Sequence, residues 1–291
     1  MNAKHKRKTG TGEIKFYSRV KQKINTGKNL FYLLKILVMK IAICGKGGVG
    51  KSTIAALLCR ALLEKGYKVL AIDADPSPHL ARLLGFKEAD KVTPIAEMKD
   101  LLAARAEKEG PFYSLNPKVD DLPEKFTLVR NGLKLMVLGA IKEAGGGCAC
   151  PEQTVLRRLL SFLLLQSKEA IVIDLEAGVE PFGRATISAI DAVLIVVQPY
   201  LGSIETAKQI AKMAKDLGVK NIFFVGNNIS DKEDIVFLEK ELDSPLLVYF
   251  FNNKDLAGAE RSGQSVIEID EPKKIAHLLV EKLEKQLSTN G

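Results

Sequence analysis

The chain has 291 residues, 46% of them hydrophobic and 27% charged, which fits an ordinary globular protein long enough for one large α/β domain. Its net charge of +8 is lopsided: residues 1–38 hold ten Lys or Arg and one acid, Glu13, so the body from 39 onward carries a net −1. That distribution argues against a basic nucleic-acid-binding body, four cysteines are too few for a disulfide framework, and no apolar run reaches the ~20 residues of a membrane span.

In chain order, residues 1–38 are rich in Lys, Thr and Gly and show no strand or helix period before Leu30. The apolar stretch 30–44 is interrupted by Lys35 and Lys40 and leads into a strand with no small-residue cleavage site between, so it only imitates a signal peptide. A cytoplasmic protein is expected. Its domain opens at Met39, and residues 1–38 form a disordered or mis-assigned extension. Short apolar runs predict strands over 41–44, 69–73, 134–138, 170–174, 193–197, 222–225 and 246–250, each near-continuous as in a parallel sheet covered on both faces. Helical patterns fall between them over 52–65, 95–107, 152–166, 205–217, 232–242 and 272–286, with Ser203 as N-cap of the fourth. The segment 110–121 reads as a surface insertion. This alternation predicts one α/β domain over 39–291, a doubly wound, mostly parallel sheet with helices on both faces.

The strongest chemical signal is Gly45-Lys46-Gly47-Gly48-Val49-Gly50-Lys51-Ser52-Thr53, a match to G-x-x-x-x-G-K-[ST] between a strand and a helix. Its glycines let backbone N–H groups turn toward phosphate oxygens at the positive end of a helix. Lys51 is expected on the β- and γ-phosphates of ATP, and the Ser52 hydroxyl on Mg²⁺. The strand 69–73 ends in Asp73 and Asp75, two carboxylates in the crevice where such folds bind ligand, although Asp-Pro also favours a plain turn. The strand 170–174 ends in Asp174, the expected carboxylate for an Mg²⁺-bound water.

A second lysine, Lys46, follows the first glycine, and with it the loop resembles the deviant phosphate loop of the MinD/ParA class of ATPases. The resemblance implies that Lys46 reaches the nucleotide of a dimer partner and makes hydrolysis conditional on dimerisation. It implies that Asp75 positions the attacking water, with Asp73 supporting the Mg²⁺ shell or the loop. It also implies that Gly178 senses the γ-phosphate and that Asn227 contacts adenine.

The segment Gly145-Gly146-Gly147-Cys148-Ala149-Cys150-Pro151-Glu152 places two thiols on a glycine-rich loop at a helix N-terminus, whose dipole favours thiolates. Two thiolates leave a soft metal short of its usual four donors, and a dimer with this loop near its axis supplies four. A strained disulfide and simple packing are the other readings. Cys44 and Cys59 fit the core as small hydrophobes. His5, His79 and His277 form no ligand set.

The Cys-x-Cys block, Asp174-Leu175-Glu176-Ala177-Gly178-Val179-Glu180 and Gly183-Arg184 together resemble the CooC-type accessory ATPases that mature nickel-containing carbon monoxide dehydrogenase. The resemblance spans 39–291. Pro181-Phe182 departs from it, where a His-containing pair is expected. It implies Ni²⁺ (or Zn²⁺) bound by Cys148 and Cys150 between subunits, a homodimer formed on ATP or metal binding, and apo carbon monoxide dehydrogenase as client. Neither nucleic acid nor membrane is expected as a partner. A related client such as acetyl-CoA synthase fits nearly the same residues, and a MinD/ParA-like dimerisation switch is the rival class. Against that switch, the helix 272–286 mixes Glu281 and Glu284 among its bases and makes a poor membrane anchor. An iron–sulfur donor is disfavoured because no cysteine follows Cys150.

Overall fold

The structure, a computed structural model, describes residues 38–77, 79–106, 108–109, 112–113, 116–141, 151–179, 182 and 184–289. Apolar runs become buried strands and amphipathic runs cover them. β1 (Lys40–Cys44) leads through the phosphate loop into α1 (Lys51–Glu64), and β2 (Val69–Ala74) comes next. The short α2 (Leu80–Leu83) and α3 (Lys99–Arg105) precede β3 (Lys108–Glu109) and β4 (Phe112–Tyr113). After α4 (Leu122–Phe126) lie β5 (Leu128–Arg130), β6 (Leu133–Val137), α5 (Pro151–Gln166) and β7 (Ala170–Leu175). The chain continues through α6 (Arg184–Ile187), β8 (Ala192–Val197), α7 (Leu201–Asp216), β9 (Ile222–Ile229), α8 (Lys232–Leu242) and β10 (Leu246–Phe251). Two helices close it, α9 (Lys254–Ser262) and α10 (Asp270–Thr289).

Eight strands form one sheet in the order β10-β9-β8-β1-β7-β2-β6-β5, all parallel except the edge strand β5. β3 and β4 pair only with each other, so part of the expected surface insertion 110–121 is a two-stranded ribbon. Val119 from the same segment is 3% exposed and packs into the core. The sheet separates two apolar layers. On one face Ile41, Ile43 and Val172 pack with Leu57 and Leu58 of α1 and Leu279 and Leu283 of α10. On the other, Ala42, Ile171 and Ile173 pack with Leu156 and Leu160 of α5 and Ile204 of α7. Each such Leu or Ile contributes roughly 1.5–3 kcal/mol by leaving water.

The strand predictions hold within a residue or two at most ends, while β9 runs on to Ile229. Two helix predictions need correction. The pattern 95–107 is a 3₁₀ turn at Ile95–Glu97 followed by α3, because Met98 leaves helical geometry with ψ 69. Ser203 is not the N-cap: α7 starts at Leu201, and the Ser203 hydroxyl accepts a bond from the Gln198 backbone N–H at 3.0 Å instead. α10 turns Ala276, Leu279, Val280 and Leu283 into the core, so its apolar stripe is consumed by the domain. Among the described residues no helix is long and apolar enough to cross a membrane.

Candidate phosphate-binding site

The carboxyl ends of β1, β7 and β2 lie side by side, and the candidate residues collect there. Ile43 of β1 pairs with Asp174 of β7, which pairs in turn with Asp73 of β2. The loop leaving β1 is forced to be glycine at two places. Gly45 has φ 146, and a Cβ there would meet the Val196 carbonyl oxygen at 2.5 Å. Gly50, the cap residue before α1, has φ 92, and its Cβ would meet Asn227 Nδ2 at 2.3 Å. Both are backbone conformations that other residues enter only under strain. The Gly45 N–H donates to Ala177 O at 2.8 Å, which ties the cradle to the turn that comes after β7 and contains Gly178. Lys51 is buried, and its Nζ bonds the Lys46 carbonyl at 3.4 Å, a carbonyl that also accepts from Val49 N.

The two buried acids differ. Asp73 accepts from Asp75 N at 3.2 Å through Oδ1 and from Leu80 N at 3.0 Å through Oδ2. Burial pushes its pKa up to about 6, and those backbone donors pull against the rise. Asp174 is fully buried, and neither of its oxygens has a hydrogen-bond partner of ordinary geometry. Burial, and next the Asp73 charge, push it up to about 8; the nearby Ser52 hydroxyl and Lys51 ammonium pull it down without closing a bond to it. A desolvated carboxylate with two open oxygens beside a serine hydroxyl and the phosphate cradle suits a hard cation with oxygen ligands. Asp75 is half-buried and accepts from Ser77 N at 2.8 Å, so the turn reading of this residue is correct as far as it goes.

Three contacts at this site escaped the sequence reading. Asn227 donates from Nδ2 to the Val49 carbonyl at 2.8 Å and braces the loop from below Gly50. Thr53 is buried, and its hydroxyl donates to Glu260 on α9. Lys46 Nζ sits 5.3 Å from the centroid of the Tyr200 ring. Those partners lie 178, 207 and 154 residues away in sequence, so no local pattern announces them. Cys148 and Cys150 lie outside the described residues. Among the described residues no group of three or more His, Cys, Asp and Glu could hold a metal, and Cys44 and Cys59 are buried in the core as expected.

The family model of the CobQ/CobB/MinD/ParA nucleotide-binding domain matches residues 40–286. The carbon monoxide dehydrogenase accessory protein CooC of Rhodospirillum rubrum is 44% identical over 210 residues, 70% of this chain and 80% of that protein. An uncharacterized ATP-binding protein of Methanocaldococcus jannaschii is 40% identical over 237 residues, covering 78% of this chain and 91% of its own. Among solved structures, the cell-division ATPase MinD of Pyrococcus furiosus superposes with a TM-score of 0.62 at 22% identity, over 85% of this chain and 99% of MinD. That likeness shows the fold alone.

Proposed function

This chain belongs to the CobQ/CobB/MinD/ParA nucleotide-binding domain family and is an ATPase akin to CooC, and we propose that it is a dimeric metallochaperone that inserts Ni²⁺ into apo carbon monoxide dehydrogenase. The likeness to CooC carries this reading, and the nine-residue phosphate-loop match from Gly45 to Thr53 supports it. Lys51 leaves the Lys46 carbonyl to bridge the β- and γ-phosphates of ATP, while Gly45 to Thr53 surround the phosphate chain with backbone N–H groups. Asp174 and the Ser52 hydroxyl are the residues that would hold Mg²⁺, which when bound neutralises charge on the phosphates. Asp73 holds the backbone N–H groups of Asp75 and Leu80 beside them. Asp75 positions the attacking water, and Asn227 meets adenine, on the family resemblance. Lys46 acts on the nucleotide of the partner subunit.

Cys148 and Cys150 of two subunits together offer Ni²⁺ four thiolates, and Zn²⁺ could take the same donors. Hydrolysis then resets the dimer. The decisive experiment is metal analysis of the purified chain with and without ATP. One nickel per dimer is expected, lost on Cys148→Ser or Cys150→Ser while ATP still binds. One metal per protomer, retained when both cysteines are serine, would sink the proposal.

A further inference from the structure

The register partners Ile171, Leu70, Lys134 and Val129 form one row across β7, β2, β6 and β5, so their side chains share a face of the sheet. α5 covers the start of that row, where Ile171 and Leu70 are buried with Leu156 and Leu160. It does not cover the end. Val129, an apolar β-branched residue in the middle of β5, is 66% exposed. Beside it lies an open cavity of about 510 Å³, lined by Leu70, Leu163 and Phe162 on the apolar side. Three charged residues line it as well. Lys134 and Glu169 neutralise each other at 2.7 Å, while Glu124 is exposed and has no ion-pair partner among the described residues. Among the described residues β5 pairs only with β6, so its outer edge leaves backbone groups open to a further strand.

We propose that this groove seats an extended segment of the client apoenzyme, which adds a strand to β5, fills the cavity with an apolar side chain and sets a Lys or Arg against Glu124. Strand addition takes its affinity from main-chain bonds and its selectivity from such pockets. A second copy of this chain is the poorer occupant. A three-residue edge and one cavity fall far short of the ~800 Å² per partner that a stable dimer needs, yet they suit a short peptide. The groove also lies toward the amino ends of the strands: Leu70 is three residues, roughly 10 Å, before Asp73 on β2. A client held there leaves the phosphate site uncovered, so its grip should be indifferent to ATP. This inference rests on the reading of the chain as a nickel chaperone.

The test is calorimetric titration of the full chain with nickel-free carbon monoxide dehydrogenase, with and without Mg²⁺ and a non-hydrolysable ATP analogue. Val129→Lys should weaken binding at least about tenfold, because it removes a central apolar contact and charges the edge. Val129→Ile keeps the shape and should bind like the parent. Glu124→Lys should weaken binding about two- to fivefold at low salt, and less as salt rises. Both residues are exposed and outside the phosphate site, so melting temperature and basal ATP hydrolysis should stay unchanged in all three variants. Equal binding by Val129→Lys and the parent overturns the seat. So does a nucleotide-free dimer of the parent that Val129→Lys abolishes, which would give the groove to a second copy. Failure of the underlying reading looks different: the parent chain itself then neither binds the apoenzyme nor delivers nickel to it, and both proposals fall.

Discussion

Asp73 and Asp174 are register partners on adjacent parallel strands, both fully buried, yet the first has both carboxylate oxygens bonded to backbone N–H groups and the second has neither. Their places in the sheet are alike; the turns that leave their strands are not. After β2 the N–H groups of Asp75 and Leu80 both come back onto Asp73. After β7 it turns toward Gly45 and leaves Asp174 open toward the cradle. A buried, unpartnered carboxylate is costly and is tolerated where a ligand completes it.

That cost gives stability a pH dependence. Asp174 is held near pKa 8 in the folded chain, above its ordinary value of 3.8, so between those values the folded state binds a proton that the unfolded chain does not. Stability therefore falls as pH rises through that window, and the slope vanishes above about 8. Without nucleotide or Mg²⁺, melting temperature should drop about 3–5 °C per pH unit between roughly 5 and 8 from this group alone. Asp174→Asn should abolish that component, as the difference between the two proteins, and should also abolish Mg²⁺-dependent hydrolysis. Identical melting profiles for parent and variant would refute the assignment.

Asp73 should respond in the opposite sense. Asp73→Ala leaves the N–H groups of Asp75 and Leu80 without their acceptor, at about 1–3 kcal/mol each, and removes a charge that raises Asp174. Loss should dominate, lowering the melting temperature of the nucleotide-free chain by about 5–15 °C. If Asp73 were chiefly a metal ligand, the metal-free protein would be unaffected or stabilised, and only metal affinity would fall.

Much of this was legible in the sequence, because it is written locally. A buried parallel strand is a continuous apolar run, and all seven predicted strands exist. Lys46 and Lys51 are read from nine consecutive residues. α9 was missed although its ends carry local signals: Asn253 accepts from the N–H groups of Asp255 and Leu256, and Gly263 closes the helix at φ 65. The polar composition between those ends hid its apolar side, which is only Leu256 and Ala259. Ser203 misled because serine serves a helix start from inside the first turn as well as from the cap. The bracing of Val49 by Asn227 and the bond from Thr53 to Glu260 arise only when distant elements meet, and nothing in either segment encodes them alone.

The boundary of the domain can be tested by truncation. Removing residues 1–38 should leave melting temperature and hydrolysis unchanged. Removing 1–40 should not, since Met39 is 1% exposed, its carbonyl accepts from Ile171 N at 2.7 Å, and Lys40 exchanges bonds with Asp191 at 2.8 Å on both sides. Loss of the Met39 side chain alone is worth about 2–5 kcal/mol. A destabilised 39–291 fragment would show instead that the leading segment packs on the body.

Glu260 offers the last prediction. Its carboxylate accepts from the buried Thr53 hydroxyl in the first turn of α1, the helix whose N-terminus receives phosphate. In the nucleotide-free chain a negative charge there is favourable, because it meets the positive end of the helix. Once the triphosphate arrives, the same charge opposes it. Glu260→Gln keeps an acceptor for Thr53 and removes only the charge. Since a charge at a helix end is worth about 0.3–1 kcal/mol, ATP should bind about two- to fivefold more tightly to the variant at low salt. The gain should shrink as ionic strength rises, because Glu260 is exposed and its field is screened. The nucleotide-free variant should be slightly less stable, which thermal melting would register. Unchanged or weaker ATP binding by isothermal titration would show that Glu260 fixes Thr53 without opposing the nucleotide.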